Sequence, residues 1–257
     1  MRDLRGHWDT LAPRISAARG LCVLSDFDGT LAPLADRPEL AEMPREVRLV
    51  LEKLAALKVV LGVVSGRSLD DLARRVALSG IWYVGNHGYE VRSPSGDDRR
   101  FYDAEDTRIL EALRGELSAA VAGIPGVIIE PKGPVLAVHY RLVEERRRGE
   151  VVRTFQRAIQ PHLRRVMMGH GKLVIEARVR GNCNKGTAVG FIRSELPAGA
   201  LTLYFGDDET DRDAFRAIAG TGVSVQVGAT NSEFADFFLP DPRSVLDVLE
   251  RIAKDRR

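Results

Sequence analysis

The chain has 257 residues, 44% hydrophobic and 29% charged, which is globular composition and excludes disordered and fibrous classes. Its 38 Lys and Arg against 36 Asp and Glu leave a formal charge of +2, too even for a protein that holds nucleic acid by charge. No apolar run approaches the roughly 20 residues of a membrane helix, and the charged first ten residues lack the apolar core of a secretory signal.

Leu4, Trp8, Leu11 and Ile15 recur at helical spacing and predict an opening helix that Gly20 ends. Residues 21–25 form a short apolar run that leads into Asp26-Phe27-Asp28-Gly29-Thr30, the pattern of a buried strand and a turn. Pro44 stands at a helix start, with Val47, Val50, Leu51 and Leu54 as its apolar stripe. Residues 58–64 predict a second buried strand, ending at Ser65-Gly66-Arg67. A helix over 69–78 and a third strand over 81–84 follow, the latter ending at Gly85-Asn86-His87-Gly88. This alternation predicts a parallel sheet with crossover helices. Each strand's polar and glycine residues follow its carboxyl end, the edge where open α/β sheets place their sites.

The middle of the chain reads differently. A helix over 106–121 precedes strands over 126–130 and 135–141, around Pro131 and Gly133. A helix over 146–160 precedes strands over 165–168 and 172–179, around a Gly169-His170-Gly171 turn. Helix-strand-strand, repeated, predicts an inserted α+β module. After Asn184-Lys185-Gly186 the first pattern returns: a helix to Ser194, a strand over 201–205 ending at Gly206-Asp207-Asp208, a helix through Ile218, a strand over 223–227 and a last helix over 244–254. The expected architecture is α/β. Residues 1–104 and 181–257 form a doubly wound, Rossmann-like parallel-sheet core, and residues 105–180 form the inserted domain.

Asp26 and Asp28 would point from a strand-end turn into one mouth, which is costly unless a cation or a task offsets their charge. Asp207, Asp208 and Asp211 follow another strand. Five carboxylates without a His or Cys cluster point to hard-oxygen coordination of Mg²⁺. Asp211 equally fits a cap on the helix that follows. Lys185 adds a positive charge, and Ser65-Gly66 offers a hydroxyl and N–H groups for an anion. Together these parts fit phosphoryl transfer. The five histidines show no metal-binding spacing, and the two cysteines, Cys22 and Cys183, no disulfide or zinc pattern, so a reducing, cytoplasmic setting is expected.

Period 2 sorts the middle strands. Val135, Ala137, His139 and Arg141 share one face, and Leu136, Val138 and Tyr140 the other. Glu176, Arg178 and Arg180 lie opposite Ile175, Ala177 and Val179, and Glu130 and Lys132 share a side. One face can pack on helices while the other presents polar groups suited to sugar hydroxyls. Met167-Met168 reads as strand core, and Arg146-Arg147-Arg148 as a solvated helix start.

Asp26-Phe27-Asp28-Gly29-Thr30-Leu31, Ser65-Gly66-Arg67, Lys185-Gly186 and Gly206-Asp207-Asp208 with Thr210-Asp211 resemble, in order, the four motifs of haloacid-dehalogenase-superfamily phosphatases. Leu31-Ala32-Pro33-Leu34, Gly85-Asn86-His87-Gly88, Glu130-Pro131-Lys132, His139-Tyr140-Arg141 and Glu176 resemble, more narrowly, the trehalose-6-phosphate phosphatases. Arg212 departs from the Glu usual there. The resemblance implies Mg²⁺-dependent hydrolysis of trehalose 6-phosphate. Asp26 would be the nucleophile, Asp28 the proton donor and acceptor, and Lys185 a catalytic cation. Mg²⁺ would be held by the Asp26 carboxylate, the Asp28 carbonyl and Asp207, supported by Asp208 and Asp211. Thr30, Ser65, Gly66 and Lys185 would hold phosphate. Arg67, Asn86, His87, Glu130, Lys132, His139, Arg141 and Glu176 would bind substrate, and the inserted domain would be a cap that closes over the site. Phosphatases of sucrose 6-phosphate or of a glycosyl-3-phosphoglycerate, a phosphomutase, and a non-catalytic synthase partner are the competing readings. The expected partners are a small sugar phosphate, with functional coupling to a trehalose-phosphate synthase, and neither nucleic acid nor membrane.

Overall fold

The computed structural model describes residues 2–35, 37–171, 173–228 and 233–256. The chain forms two compact units, Met1–Arg99 with Cys183–Arg257, and Arg100–Asn182.

The first unit opens with β1 (Arg2–Asp3), α1 (Trp8–Ala17), β2 (Gly20–Ser25), α2 (Arg45–Ala56), β3 (Val60–Val64), α3 (Leu69–Val76), β4 (Trp82–Gly85), β5 (Glu90–Arg92) and β6 (Asp98–Arg100). The second unit holds α4 (Ala104–Ala120), β7 (Ile128–Pro131), β8 (Val135–His139), α5 (Glu145–Ile159), β9 (Val166–Gly171) and β10 (Val174–Val179). The chain then returns to the first unit with α6 (Lys185–Ser194), β11 (Ala200–Gly206), α7 (Asp211–Ile218), β12 (Val223–Val227), β13 (Phe237–Leu239) and α8 (Pro242–Asp255).

The first unit's sheet has the order β1-β13-β12-β11-β2-β3-β4-β5-β6. It is parallel from β1 to β4, and β5 joins β4 antiparallel. The strand order reverses at β2 and β11, the switch point whose carboxyl edge opens a crevice in such sheets. Both faces are covered, so β2 reads as unbroken apolar sequence. Leu21 and Val23 pack with the apolar stripes of α1, α2, α3 and α8, while Cys22 and Leu24 pack with those of α6 and α7. Strands β1, β5, β6 and β13 span two or three residues each, too few to show a period, and were not read from the sequence.

The second unit is an antiparallel sheet, β7-β8-β10-β9. Leu136, Val138, Val166, Ile175, Ala177 and Val179 are buried on the side that packs against α4 and α5. The register puts Glu130, Ala137, Glu176 and Gly169 in one row of the other face, with Ile128, His139, Val174 and Gly171 in the next. Three expectations change here. Gly169-His170-Gly171 lies inside β9, and Leu173, at φ 60°, is in the turn instead; Lys172 is outside the described residues. Met167 and Met168 are exposed rather than core, because β9 is an edge strand. Strand β8 ends at His139, so Arg141 stands in the following turn and leaves the alternation.

Candidate active site

Strand β2 delivers Asp26 to the sheet edge, where its N–H donates to the Phe205 carbonyl at the end of β11 (2.8 Å). The chain then turns tightly, with the Leu31 and Ala32 N–H groups both donating to the Phe27 carbonyl at 3.0 and 2.9 Å. Gly29 sits in this turn at φ +76°, and a Cβ there would overlap the Asp207 carboxylate. Only glycine meets both demands. Asn184 caps α6 in a reciprocal box with Thr187, which sets Lys185 at the first helical position. Asp207 follows β11, and Asp211 opens α7.

These side chains converge. Lys185, 2% exposed, holds Asp26 Oδ2 at 3.1 Å and Asp211 Oδ1 at 2.7 Å. Asp211, fully buried, also accepts from the Tyr204 hydroxyl at 2.7 Å and the Asp208 N–H at 2.9 Å. Oxygens of Asp26, Asp207 and Asp211 lie within 4.8 Å of one another. Three carboxylates face one ammonium in a water-poor site. Burial, then the Asp211 and Asp207 charges, push the Asp26 carboxyl well above its usual range against the pull of Lys185. Burial and Asp211 raise Asp207 to about 6. Burial alone would lower Lys185, but Asp211 and Asp26 raise it. The pocket is therefore short of positive charge, and its donors are hard oxygens, so the residues fit a divalent cation.

The remaining candidates are distributed as follows. Thr30, fully buried, donates to Asp207 Oδ1 at 3.4 Å. The Ser65 hydroxyl accepts from the Arg67 N–H at 3.2 Å. The Asp28 carboxylate is turned to Arg67, and that of Asp208 accepts from the Glu209 N–H at 2.6 Å, so neither side chain belongs to the three-carboxylate group. Asn86 and His87 adopt left-handed backbones, φ 49° and 59°, and brace the second motif: their N–H groups donate to the Arg67 and Ser65 carbonyls at 2.7 and 3.0 Å. The His87 ring lies against Gly66. Arg212 ion-pairs with Glu209 at 3.1 Å on a partly exposed side of α7.

In the second unit, Glu130 Oε2 accepts from Lys132 at 3.1 Å and pairs with His139 Nε2 at 2.9 Å. Glu176 Oε2 accepts twice from Arg178, at 2.8 and 2.6 Å. A Cβ at Gly169 would press on the Arg178 guanidinium, so the bare glycine gives that side chain its place.

Sequence reading missed three groups that order these sites and placed a fourth, Arg178, on the polar strand face without its partner. Tyr204 holds Asp211. Glu90, buried, accepts from the Asn86 amide at 2.8 Å. Gln226, buried, donates to the Asp207 carbonyl at 2.9 Å. Arg178 holds Glu176. The only signal for the first three was a polar residue inside an apolar strand or beside a motif glycine.

The sheet order, the switch-point carboxylates and the buried lysine define the haloacid-dehalogenase-like fold. A haloacid dehalogenase-like hydrolase from Bacteroides thetaiotaomicron superposes with a TM-score of 0.68 at 13% identity, covering 91% of this chain and 100% of that one. The C-terminal domain of the Candida albicans trehalose-6-phosphate phosphatase superposes with a TM-score of 0.78 at 22% identity, covering 96% of each chain. Residues 24–243 match the trehalose-phosphatase family, and the chain belongs to it. The trehalose-phosphate phosphatase of Mycobacterium tuberculosis (strain H37Rv) is 36% identical over 250 residues, which cover 93% of this chain. The chain spans 63% of that relative's length.

Proposed function

We propose that the chain hydrolyses trehalose 6-phosphate to trehalose and phosphate through an aspartyl-phosphate. Family membership supports the substrate, and the Asp26–Lys185–Asp211 cluster with Asp207 carries the chemistry. Asp26 attacks phosphorus; its oxygen–phosphorus bond forms as the phosphorus–sugar oxygen bond breaks. Asp28 gives its proton to the departing sugar oxygen, then takes one from the water that attacks the aspartyl-phosphate and releases inorganic phosphate. Lys185 works against the burial that favours protonated Asp26 and balances phosphate charge. Thr30, Ser65 and Gly66 serve the phosphate oxygens. Phosphatases of this fold use a divalent metal ion. Asp26, the Asp28 carbonyl and Asp207 would hold it, here Mg²⁺, with Asp208 in support, and it supplies charge neutralisation at the phosphoryl oxygens. Asp211, already taking three donors, serves mainly to place Lys185.

Glu130, Lys132, His139 and Glu176 are proposed to meet the sugar hydroxyls; buried or half-buried polar groups on one sheet face suit a polyol. The core-and-cap division of labour belongs to the same proposal, as do a reducing, cytoplasmic location and a synthase that supplies the sugar phosphate. Among the described residues no helix is long and apolar enough to cross a membrane.

The test is phosphate release with Mg²⁺ from trehalose 6-phosphate beside sucrose 6-phosphate, glycosyl-3-phosphoglycerate and glucose 6-phosphate, with Asp26→Asn as blank. Preference for trehalose 6-phosphate supports the reading. Asp26-dependent release that favours another sugar keeps the chemistry and overturns the substrate. No release from any of them returns the non-catalytic reading.

A further inference from the structure

Asp28 is proposed above to handle the leaving group's proton, yet nothing in its own turn aims its carboxylate. Its side chain is about one-third exposed, at 32%, and among the described residues its side-chain hydrogen bonds run to Arg67 alone. Arg67 grips it as a fork, Nε to Oδ2 at 2.7 Å and a terminal nitrogen to Oδ1 at 2.6 Å. Such a planar two-point grip fixes the plane of a carboxylate as well as its position.

Arg67, in contrast, is fixed independently of Asp28. Its N–H donates to Ser65 Oγ at 3.2 Å, and its carbonyl accepts from the Asn86 N–H at 2.7 Å, so the backbone is pinned on both sides. Its guanidinium lies over the Phe27 ring, 5.4 Å from the centroid. Its remaining terminal nitrogen donates to Asp71 at 3.0 Å, and Asp71 also accepts from Arg75 at 2.8 Å and Arg74 at 3.2 Å. Arg75 donates in turn to the Ala41 carbonyl at 2.7 Å. The result is a row of alternating charge, Asp28–Arg67–Asp71–Arg75, anchored at the Arg75 end and open at the Asp28 end.

We propose that Arg67 is a positioning residue, an anchored fork that sets the orientation of the Asp28 carboxyl, gripping both oxygens of the carboxylate and keeping one arm on it when the other oxygen carries the proton for the leaving group, with Asp71 as its backstop. The inference rests on the reading of Asp28 as the group that serves the leaving oxygen. It differs from the sequence expectation that Arg67 is a substrate ligand, because both arms of the guanidinium are engaged within the protein.

Leaving-group dependence tests it. A 4-nitrophenolate departs without a proton, whereas a sugar oxygen needs one, and kcat/KM reports only the steps through phosphoryl transfer. Arg67→Lys keeps the charge and loses the fork; Asp71→Asn keeps the shape and loses the anchor's charge. With Mg²⁺, Arg67→Lys should lower kcat/KM for trehalose 6-phosphate by roughly 10- to 100-fold, with a loss on 4-nitrophenyl phosphate about ten times smaller. Asp71→Asn should show the same asymmetry at about 3- to 10-fold. Equal losses on the two substrates, no loss, or a gain overturns the proposal. Thermal melts accompany each variant, and if Arg67→Lys fails to fold, Asp71→Asn carries the test. Asp28→Asn separates the two levels. If it lacks the leaving-group asymmetry, the reading of Asp28 fails and the inference falls with it; if it shows the asymmetry and the Arg67 and Asp71 variants do not, only the positioning role fails.

Discussion

The two polar clusters of this molecule are built by opposite rules. In the first unit, Asp26, Lys185 and Asp211 are at most 5% exposed, and Asp211 takes three donors. Every group there is held by partners from β11, α6, α7 or the loops that follow β2 and β11. In the second unit, Glu130 is 47% exposed and pairs with Lys132 and His139 on its own sheet face, while Glu176 pairs with a neighbour two residues away. Charges removed from water must be matched atom by atom, since an unpaired one costs several kcal/mol. A half-exposed charge such as Glu130 can exchange a protein partner for water or a hydroxyl at little cost, whereas Glu176 is only 12% exposed. The first arrangement suits bond making at a fixed point; the second suits recognition of a hydroxyl-rich ligand.

The largest effect should come from the nucleophile. Asp26→Asn should lower phosphate release by at least about 1000-fold in a steady-state assay while the fold persists, because the amide cannot form the phosphoenzyme. A residual rate above about 10% would break the assignment of chemistry to the buried cluster. Next comes Gly29→Ala. The new methyl meets Asp207 and the backbone is strained at φ +76°, so kcat should fall roughly 100-fold with a modest loss of melting temperature. If kcat is unchanged, the buried cluster is not as tightly determined as its geometry implies.

The second cluster should respond more softly. Glu176→Gln should raise KM for trehalose 6-phosphate by about 10-fold and change kcat less, as expected when one hydrogen-bonded charge is lost from a binding face. A loss confined to kcat would remove the contrast between the two regions.

The smallest effect is on stability. The hydrogen bond from His139, then the charge of Lys132, holds the Glu130 carboxyl below its ordinary 4.5, although burial opposes them. The folded value lies below the unfolded one, so the unfolded chain takes the proton first. The contribution is full above about pH 4.5 and is lost as the pH falls through the folded value. Glu130→Gln should therefore cost no more than about 1 kcal/mol in urea titrations at pH 7, given its exposure, and the difference from the native chain should shrink toward pH 3. A difference that grows in acid would reverse the sign of the pairing.

Legibility followed the range of the signal. The carboxylates of the buried cluster could be read because each follows an apolar strand, and strand ends of a parallel sheet share one edge. The second unit's alternation was readable through Val135 to His139 and Val174 to Val179, since period 2 is a property of a single strand. It failed at Arg141, where the strand had ended, and at Gly169 to Gly171, where glycines suggested a turn but the edge strand continued through Gly171. Tyr204 looked like one more apolar strand residue until its hydroxyl was seen to meet Asp211.

The sequence by itself determined the order of the helices and the longer strands, the return of the first unit after an insertion, and which carboxylates and lysine stand at strand ends and helix starts. These follow from periods of 2 and 3.6 residues and from turn chemistry, all set within about ten residues. Tertiary structure decided the partners. Arg67 reaches Asp28 across 39 positions, Lys185 reaches Asp211 across 26, and Thr30 reaches Asp207 across 177. The pairing of Glu130 with His139 depends on the β7–β8 register. A local pattern says that a charge will stand at an edge, but which opposite charge meets it depends on how sheets and helices close-pack, and a shift of one residue in register would change every pair.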